Sequence, residues 1–478
     1  MKSLPFFLVS SITVLVCLEA AILFGPPDIT LGGILGLGLV TLWRYAWLIL
    51  NMVRSLWYRN HIFPKIRARA DRLPLKQWRP KMLHIVLPTY KERPEVTNQV
   101  FQHICREINS VCCPTYIYVA SGGDEENRVI LEFFEGYPFP EQTKLAFLKQ
   151  EGKRHGMAFA LRAARRRDPF MKGLVILMDG DSLFGENLFA KTLPLFALYP
   201  KLGAVTTNNL AVAEGPRWYQ AWYALRFALR HRYMSSHSVS GKVLTLTGRF
   251  SVFRASAALQ EEFIERVESD FVFTHAEGVI PFKTGDDKST WYQLLKQGWD
   301  MLYVPDAFII CMETAGLHPM RESRAKMYRW FGNMLRNNRR ALELGPGRLG
   351  WFIWLAILDQ RISPWTSLML PTAILLNVVV KNPMGIFFFL AWVACTRFLY
   401  LSSLLLEGHR LRPWDFFLIL YQQWGGSFIK ISVLSNLKQQ AWSVSRGDGF
   451  RDGPPLWSRV RHYSWLILWI LVIAFFVL

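Results

Sequence analysis

Gly173-Leu174-Val175-Ile176-Leu177-Met178-Asp179-Gly180-Asp181-Ser182 sets five apolar side chains in a row and then stops on two acids separated by a glycine. A run this short, closed by turn residues, fits a strand buried on both faces. Two upstream stretches repeat the pattern. Leu83-His84-Ile85-Val86-Leu87 is stopped by Pro88-Thr89-Tyr90-Lys91-Glu92, and Tyr116-Ile117-Tyr118-Val119-Ala120 runs into Ser121-Gly122-Gly123-Asp124. A segment of helical period from Glu95 to Ile108 follows the first. Strand, loop and helix in this order predict an α/β domain with a doubly wound sheet, whose ligands sit at the carboxyl ends of the strands.

Outward from this core the chain changes character. Of its 478 residues 51% are hydrophobic, and they gather in long runs. Pro5–Phe24 and Leu31–Val53 each approach the roughly 20 residues that cross a bilayer as a helix. Charges then recur every few residues, and apolar runs resume at Ser363–Val380, Ile386–Leu406, Trp414–Leu434 and Tyr463–Leu478. The expected organisation is two transmembrane helices in residues 1–56, a cytoplasmic domain in 57–345, and membrane and interfacial helices in 346–478. Arg54, Arg59, Lys65, Arg67, Arg69, Arg72, Lys76 and Arg79 follow the second run, which places the domain on the cytoplasmic side. A cleaved leader is the competing reading of the first run, but only Lys2 precedes it.

The six cysteines show neither zinc-site nor disulfide-scaffold spacing. The net charge of +20 admits an anionic substrate, anionic lipid or nucleic acid. No RNA-binding signature or repeat accompanies it, so nucleic acid is not expected as a partner and the lipid bilayer is.

Asp179-Gly180-Asp181 offers two carboxylates at a strand end, where both can face a divalent cation; hard oxygen ligands suit Mg²⁺ or Mn²⁺. A turn that caps the next helix is the plainer alternative. Gly152-Lys153-Arg154-His155-Gly156 precedes a helix-period run, so Lys153 could meet a diphosphate, or the loop is simply a solvated basic one. Gly285-Asp286-Asp287-Lys288 opens an amphipathic helix, and paired carboxylates there suit a general base or an N-cap.

Taken in order, Pro88-Thr89-Tyr90-Lys91-Glu92, Gly152-Lys153, Asp179-Gly180-Asp181, Thr247-Gly248-Arg249, Gly285-Asp286-Asp287 and Arg329-Trp330 resemble the processive family 2 glycosyltransferases, among them cellulose, hyaluronan and chitin synthases. The resemblance implies a GT-A catalytic domain, a doubly wound mixed sheet inserted between transmembrane helices. It implies that Asp179 and Asp181 bind Mg²⁺ (or Mn²⁺), that Asp287, beside Asp286, deprotonates the acceptor hydroxyl, and that Pro88, Thr89, Glu92, Asp124, Lys153 and Arg329 hold the donor nucleotide and diphosphate. Thr247, Gly248, Arg249 and Trp330 would meet the acceptor. It further implies that Trp442, Val444 and Arg446 form a gating-like loop at about 441–452, with the Trp414–Leu434 run interfacial and five spans in all, six being the alternative.

Two departures bear on substrate. Lys326 stands where the family's Gln-x-x-Arg-Trp motif has glutamine, and the second strand ends without the adjacent aspartates that read uracil, so guanine is expected instead. With Gly285-Asp286-Asp287-Lys288-Ser289-Thr290-Trp291, these departures resemble the mannuronan synthases of alginate polymerisation. That branch implies GDP-mannuronate as donor, a β-1,4-linked polymannuronate product, inversion by single displacement, a separate cyclic-di-GMP-binding membrane subunit, periplasmic export proteins and the bacterial inner membrane. A UDP-sugar-dependent synthase of another polysaccharide is the alternative. A polyanionic product calls for cations: Lys288 and Lys326 are candidates for the uronate carboxylate, and Arg44 and Arg397, both within apolar runs, for the channel.

Overall fold

A computed structural model describes residues 31–149, 152–380, 383–440 and 456–477. Its strands are β1 (Leu83–Thr89), β2 (Thr115–Ser121), β3 (Thr143–Lys149), β4 (Leu174–Met178), β5 (Ser182–Phe184), β6 (Leu202–Ala213), β7 (Phe250–Arg254), β8 (Phe271–Thr274), β9 (Gly278–Pro281) and β10 (Asp300–Glu313). Eight of them form one mixed sheet in the order β3-β2-β1-β4-β7-β6-β10-β5, and β8 and β9 make a separate hairpin. The apolar runs that predicted β1 and β4 are buried along nearly their whole length. Strands covered on both faces need no polar alternation, which is why they read as continuous runs.

β1, β2, β3 and β4 are mutually parallel, so their carboxyl ends, with the loops that follow, open on the same edge. β7 enters between β4 and β6 in the opposite sense. Its amino-terminal end therefore meets the carboxyl end of β4: Met178 pairs with Phe250, and Asp179 N–H donates to the Arg249 carbonyl at 3.4 Å. That reversal carries Thr247-Gly248-Arg249 to the acidic loop.

Helix Leu31–Trp57 contains the second apolar run, and the first lies outside the described residues. Helix Arg217–Ser238 packs on both Leu31–Trp57 and the sheet. Between them, Glu407 is fully buried and accepts from Arg59 at 2.6 Å, Arg232 at 2.9 Å and Ser55 at 3.2 Å. Among the described residues two helices, Trp351–Val380 and Gly385–Glu407, are long and apolar enough to cross a membrane. The first starts well before the expected Ser363. The run Trp414–Leu434 forms two short helices, Asp415–Leu420 and Gly426–Ser435, joined by a π turn at Tyr421–Gly425.

Candidate active site

The strand-end loops enclose a cleft of about 1230 Å³. Lys153 lines it. Gly152, with φ of 80°, turns the chain through a conformation that glycine tolerates best, and Lys153 begins the helix Lys153–Arg167. Its ammonium donates to Asp179 at 2.7 Å and lies 3.1 Å from Asp286. Asp286 and Asp287 open helix Asp286–Gln297, where the positive end of the helix dipole favours carboxylates. Their approach is set by Gly285, with φ of 87°, at which a Cβ would fall 2.7 Å from Asn333 Cγ. Lys153 thus joins the Asp-Gly-Asp loop of β4 to the acidic helix start.

The carboxylates of this site titrate differently. Burial raises the Asp179 carboxyl, but the Lys153 ammonium, with Arg249 and Arg329 further off, outweighs it and holds the group below its ordinary range. Asp181 is pushed up to about 7 by burial and then by the charges of Asp179 and Glu92. Asp287 is pushed up to about 6 by burial and then by Asp286. Among the described residues no group of three His, Cys, Asp or Glu side chains assembles a complete metal cage. The acids that crowd Asp181 nonetheless fit a divalent cation, since it would relieve their repulsion, and Mg²⁺ is commonly held by one or two carboxylates plus substrate phosphates.

Of the expected donor and acceptor residues, Pro88, Thr89, Glu92, Lys153, Arg249 and Arg329 line the cleft with Asp179 and Asp181. Gly248 backs the ion pair: a Cβ there would sit 3.5 Å from Asp179 Oδ2 and 3.8 Å from Lys153 Nζ. Thr247 is buried behind it and accepts from Arg249 N–H at 3.4 Å. Trp330 is off the cleft wall, stacked on Trp222 at 5.9 Å with the Arg226 guanidinium 4.0 Å over its ring.

Lys326 also lines the cleft, where Glu313 takes its ammonium at 2.8 Å. Lys288 does not. Its buried ammonium donates to the Leu244 carbonyl and lies 4.6 Å from the Trp291 ring centroid, and burial brings it down to about 8. Lys288, expected as a candidate for the uronate carboxylate, therefore lies away from the cleft wall. Asp124 is likewise off the wall: its exposed carboxylate lies 3.5 Å from Lys149, while Tyr90 and Gly122, just past the end of β2, line the cleft. Trp442, Val444 and Arg446 lie outside the described residues. Arg44 and Arg397 line a second cavity of about 170 Å³ among the apolar helices, Arg44 pairing with Asp359 at 3.0 Å.

Sequence reasoning overlooked Glu313. At the end of β10 it accepts from Arg249, from Lys326 at 2.8 Å and from Tyr223 at 2.7 Å. Burial pushes its carboxyl up, but Arg249 and Lys326 bring it down to about 2. The rule that singled out Asp179, an acid closing an apolar strand, applies equally to Ile309-Ile310-Cys311-Met312-Glu313.

The chain is similar to known proteins at three levels. Residues 80–333 match the family described as Glycosyltransferase like family 2. Two proteins named glycosyltransferase alg8 are 35% identical: that of Pseudomonas syringae pv. tomato over 414 residues, 85% of this chain and 83% of its own, and that of Azotobacter vinelandii over 415 residues, with the same coverage. The solved mannosyltransferase PcManGT from Pyrobaculum calidifontis, in complex with GDP-Man and Mn²⁺, superposes with a TM-score of 0.51 over 81% of this chain and 98% of its own. At 17% identity it speaks for the fold alone.

Proposed function

The chain belongs to the family 2 glycosyltransferases, with a GT-A catalytic fold, and from that premise we propose that it polymerises mannuronate from GDP-mannuronate into β-1,4-linked polymannuronate and passes the polymer across the bacterial inner membrane. The observation that carries the reading is the Lys153 bridge, whose ammonium lies between Asp179 of the strand-end loop and Asp286 of the helix start. The kinship with alg8 proteins supports a role in alginate assembly, and the missing aspartates of the base loop support a guanine nucleotide.

In this reading Asp179 and Asp181 would hold Mg²⁺ or Mn²⁺, which would supply positive charge to the leaving diphosphate. Lys153 and Arg329 border the same space and supply further cations to it. The acceptor hydroxyl forms a bond to the anomeric carbon as the bond to the GDP oxygen breaks, and Asp287 takes the hydroxyl proton. One displacement inverts the anomeric configuration and needs no covalent sugar–enzyme species. Lys326 lines the cleft as a candidate for the uronate carboxylate, with Arg249 beside it and Glu313 balancing their charge between substrates. Arg44 and Arg397 offer cations to a polyanion among the apolar helices. A separate cyclic-di-GMP-binding subunit and periplasmic export proteins complete the proposed assembly.

Membranes containing the chain and its partner subunits, given Mg²⁺ and one donor at a time, test this. GDP-mannuronate alone is expected to yield a lyase-sensitive polyanion, with GDP-mannose, UDP-glucose, UDP-glucuronate and UDP-N-acetylglucosamine inert. Polymer from a UDP-sugar would overturn the substrate and leave the fold.

A further inference from the structure

Helix Leu31–Trp57 continues through a π turn, Tyr58–Ile62, into helix Phe63–Asp71. Trp57, His61, Lys65 and Arg69 follow one another at four-residue intervals, so they run as a stripe along this helical rod. The three polar members of the stripe are exposed. Tyr199, from the catalytic domain, faces them, with the Arg69 guanidinium 5.8 Å from its ring centroid. Together with Ile62 and Ile66 these residues line a cavity of about 580 Å³ whose wall includes no carboxylate.

The neighbouring cations of the same rod are treated otherwise. Arg59 meets Glu407 at 2.6 Å, and Arg67 meets Asp306 at 2.8 Å. Lys65 and Arg69 have no carboxylate partner among the described residues, although cations four apart on a helix repel each other and weaken it. An anion would complete the arrangement. Trp57, exposed where the apolar helix ends, marks the depth at which aromatic side chains meet lipid headgroups.

We propose that this cavity is a binding site for the phosphate-bearing headgroup of an anionic lipid, a site apart from the catalytic cleft. The proposal rests on reading Leu31–Trp57 as a membrane helix. Lys65 and Arg69 take the phosphate oxygens, His61 donates a ring N–H, and the acyl chains follow Trp57 and Ile62 along the apolar helix. Because Tyr199 forms the far wall, a bound lipid ties the catalytic domain to the membrane helix.

The test uses the full chain purified in detergent. Recovery in the membrane fraction and dependence on detergent check the membrane reading separately. Phosphatidylglycerol or phosphatidylcholine is then added, and lipid retained per chain is counted by native mass spectrometry, with the unfolding temperature followed in parallel. The wild type is expected to retain phosphatidylglycerol over phosphatidylcholine and to unfold at higher temperature with it. Lys65→Ala/Arg69→Ala, at exposed positions, is expected to retain at least fivefold less and to lose the temperature shift, while Arg128→Ala/Arg166→Ala, which removes equal charge elsewhere, behaves as wild type. Equal retention by the Lys65/Arg69 variant overturns the site, and equal loss by the control variant reduces it to bulk attraction. Displacement of the lipid by millimolar inorganic phosphate or glycerophosphate overturns the lipid assignment in favour of a soluble anion.

Discussion

As the proposed base, Asp287 would combine a catalytic requirement with a cost in stability. Only its ionised form accepts a proton, and its carboxyl is pushed up to about 6 by burial and then by Asp286. Turnover is therefore expected to fall as pH drops through about 6 and to level off above it, checked by initial rates at saturating donor. The stability contribution has the opposite sign. A carboxyl raised on folding stabilises the fold at low pH and loses that contribution as pH rises through the folded value. Asp287→Asn is expected to cut turnover by roughly 10²–10⁴ while leaving donor binding in place. Donor affinity by titration calorimetry and rate by nucleotide release separate the two, and full turnover by the variant would remove Asp287 as the base. Glu313 illustrates the reverse shift: Arg249 and Lys326 hold it charged down to about 2, so its contribution is present at neutral pH and lost only in acid.

At the scale of elements, the parts of the site that lie on one continuous piece of chain were legible in the sequence. β1 and β4 each declared themselves as an apolar run, and the residue after the run entered the cleft. What could not be read was orientation and non-local pairing. Lys288 stands two residues after Asp286, about 200° around a helix, and so it turns to Leu244 while Asp286 turns to Lys153. Asp124 sits on the first turn of its helix but beyond Ser121 and Gly122, where that loop lines the cleft. The antiparallel entry of β7 depends on partners far apart in sequence, and without it Arg249 has no reason to lie near Asp179. Glycine positions test this account of the elements. Gly285→Ala must hold a φ of 87° and push against Asn333, and strain of this kind costs on the order of 1–3 kcal/mol. Lower thermal stability together with reduced activity is expected, because the same turn delivers Asp286 to Lys153.

For the whole molecule, the question is how the catalytic domain is fixed to the apolar helices. The buried Glu407 stands at that junction, as the last residue of helix Gly385–Glu407, and holds Arg59 from the rod that leaves the first described helix and Arg232 from the helix that packs on the sheet. Such a cluster fixes geometry more than it adds net stability, because taking the charges out of water offsets much of their attraction. Removing one member is another matter. Glu407→Gln leaves two guanidinium groups facing a neutral amide, and breaking a buried pair in this way typically costs about 3–5 kcal/mol. Thermal unfolding of the detergent-solubilised chain is expected to show a large fall for Glu407→Gln and partial recovery for Glu407→Leu/Arg232→Met, in which Arg59 keeps its contact to the Leu406 carbonyl at 3.0 Å. Polymer formation then separates anchoring from stability. If the junction aligns the cleft with the membrane helices, the double variant regains stability but still releases nucleotide without extending polymer in proportion. Full polymer yield from the stable double variant would show that the ion cluster serves the fold alone.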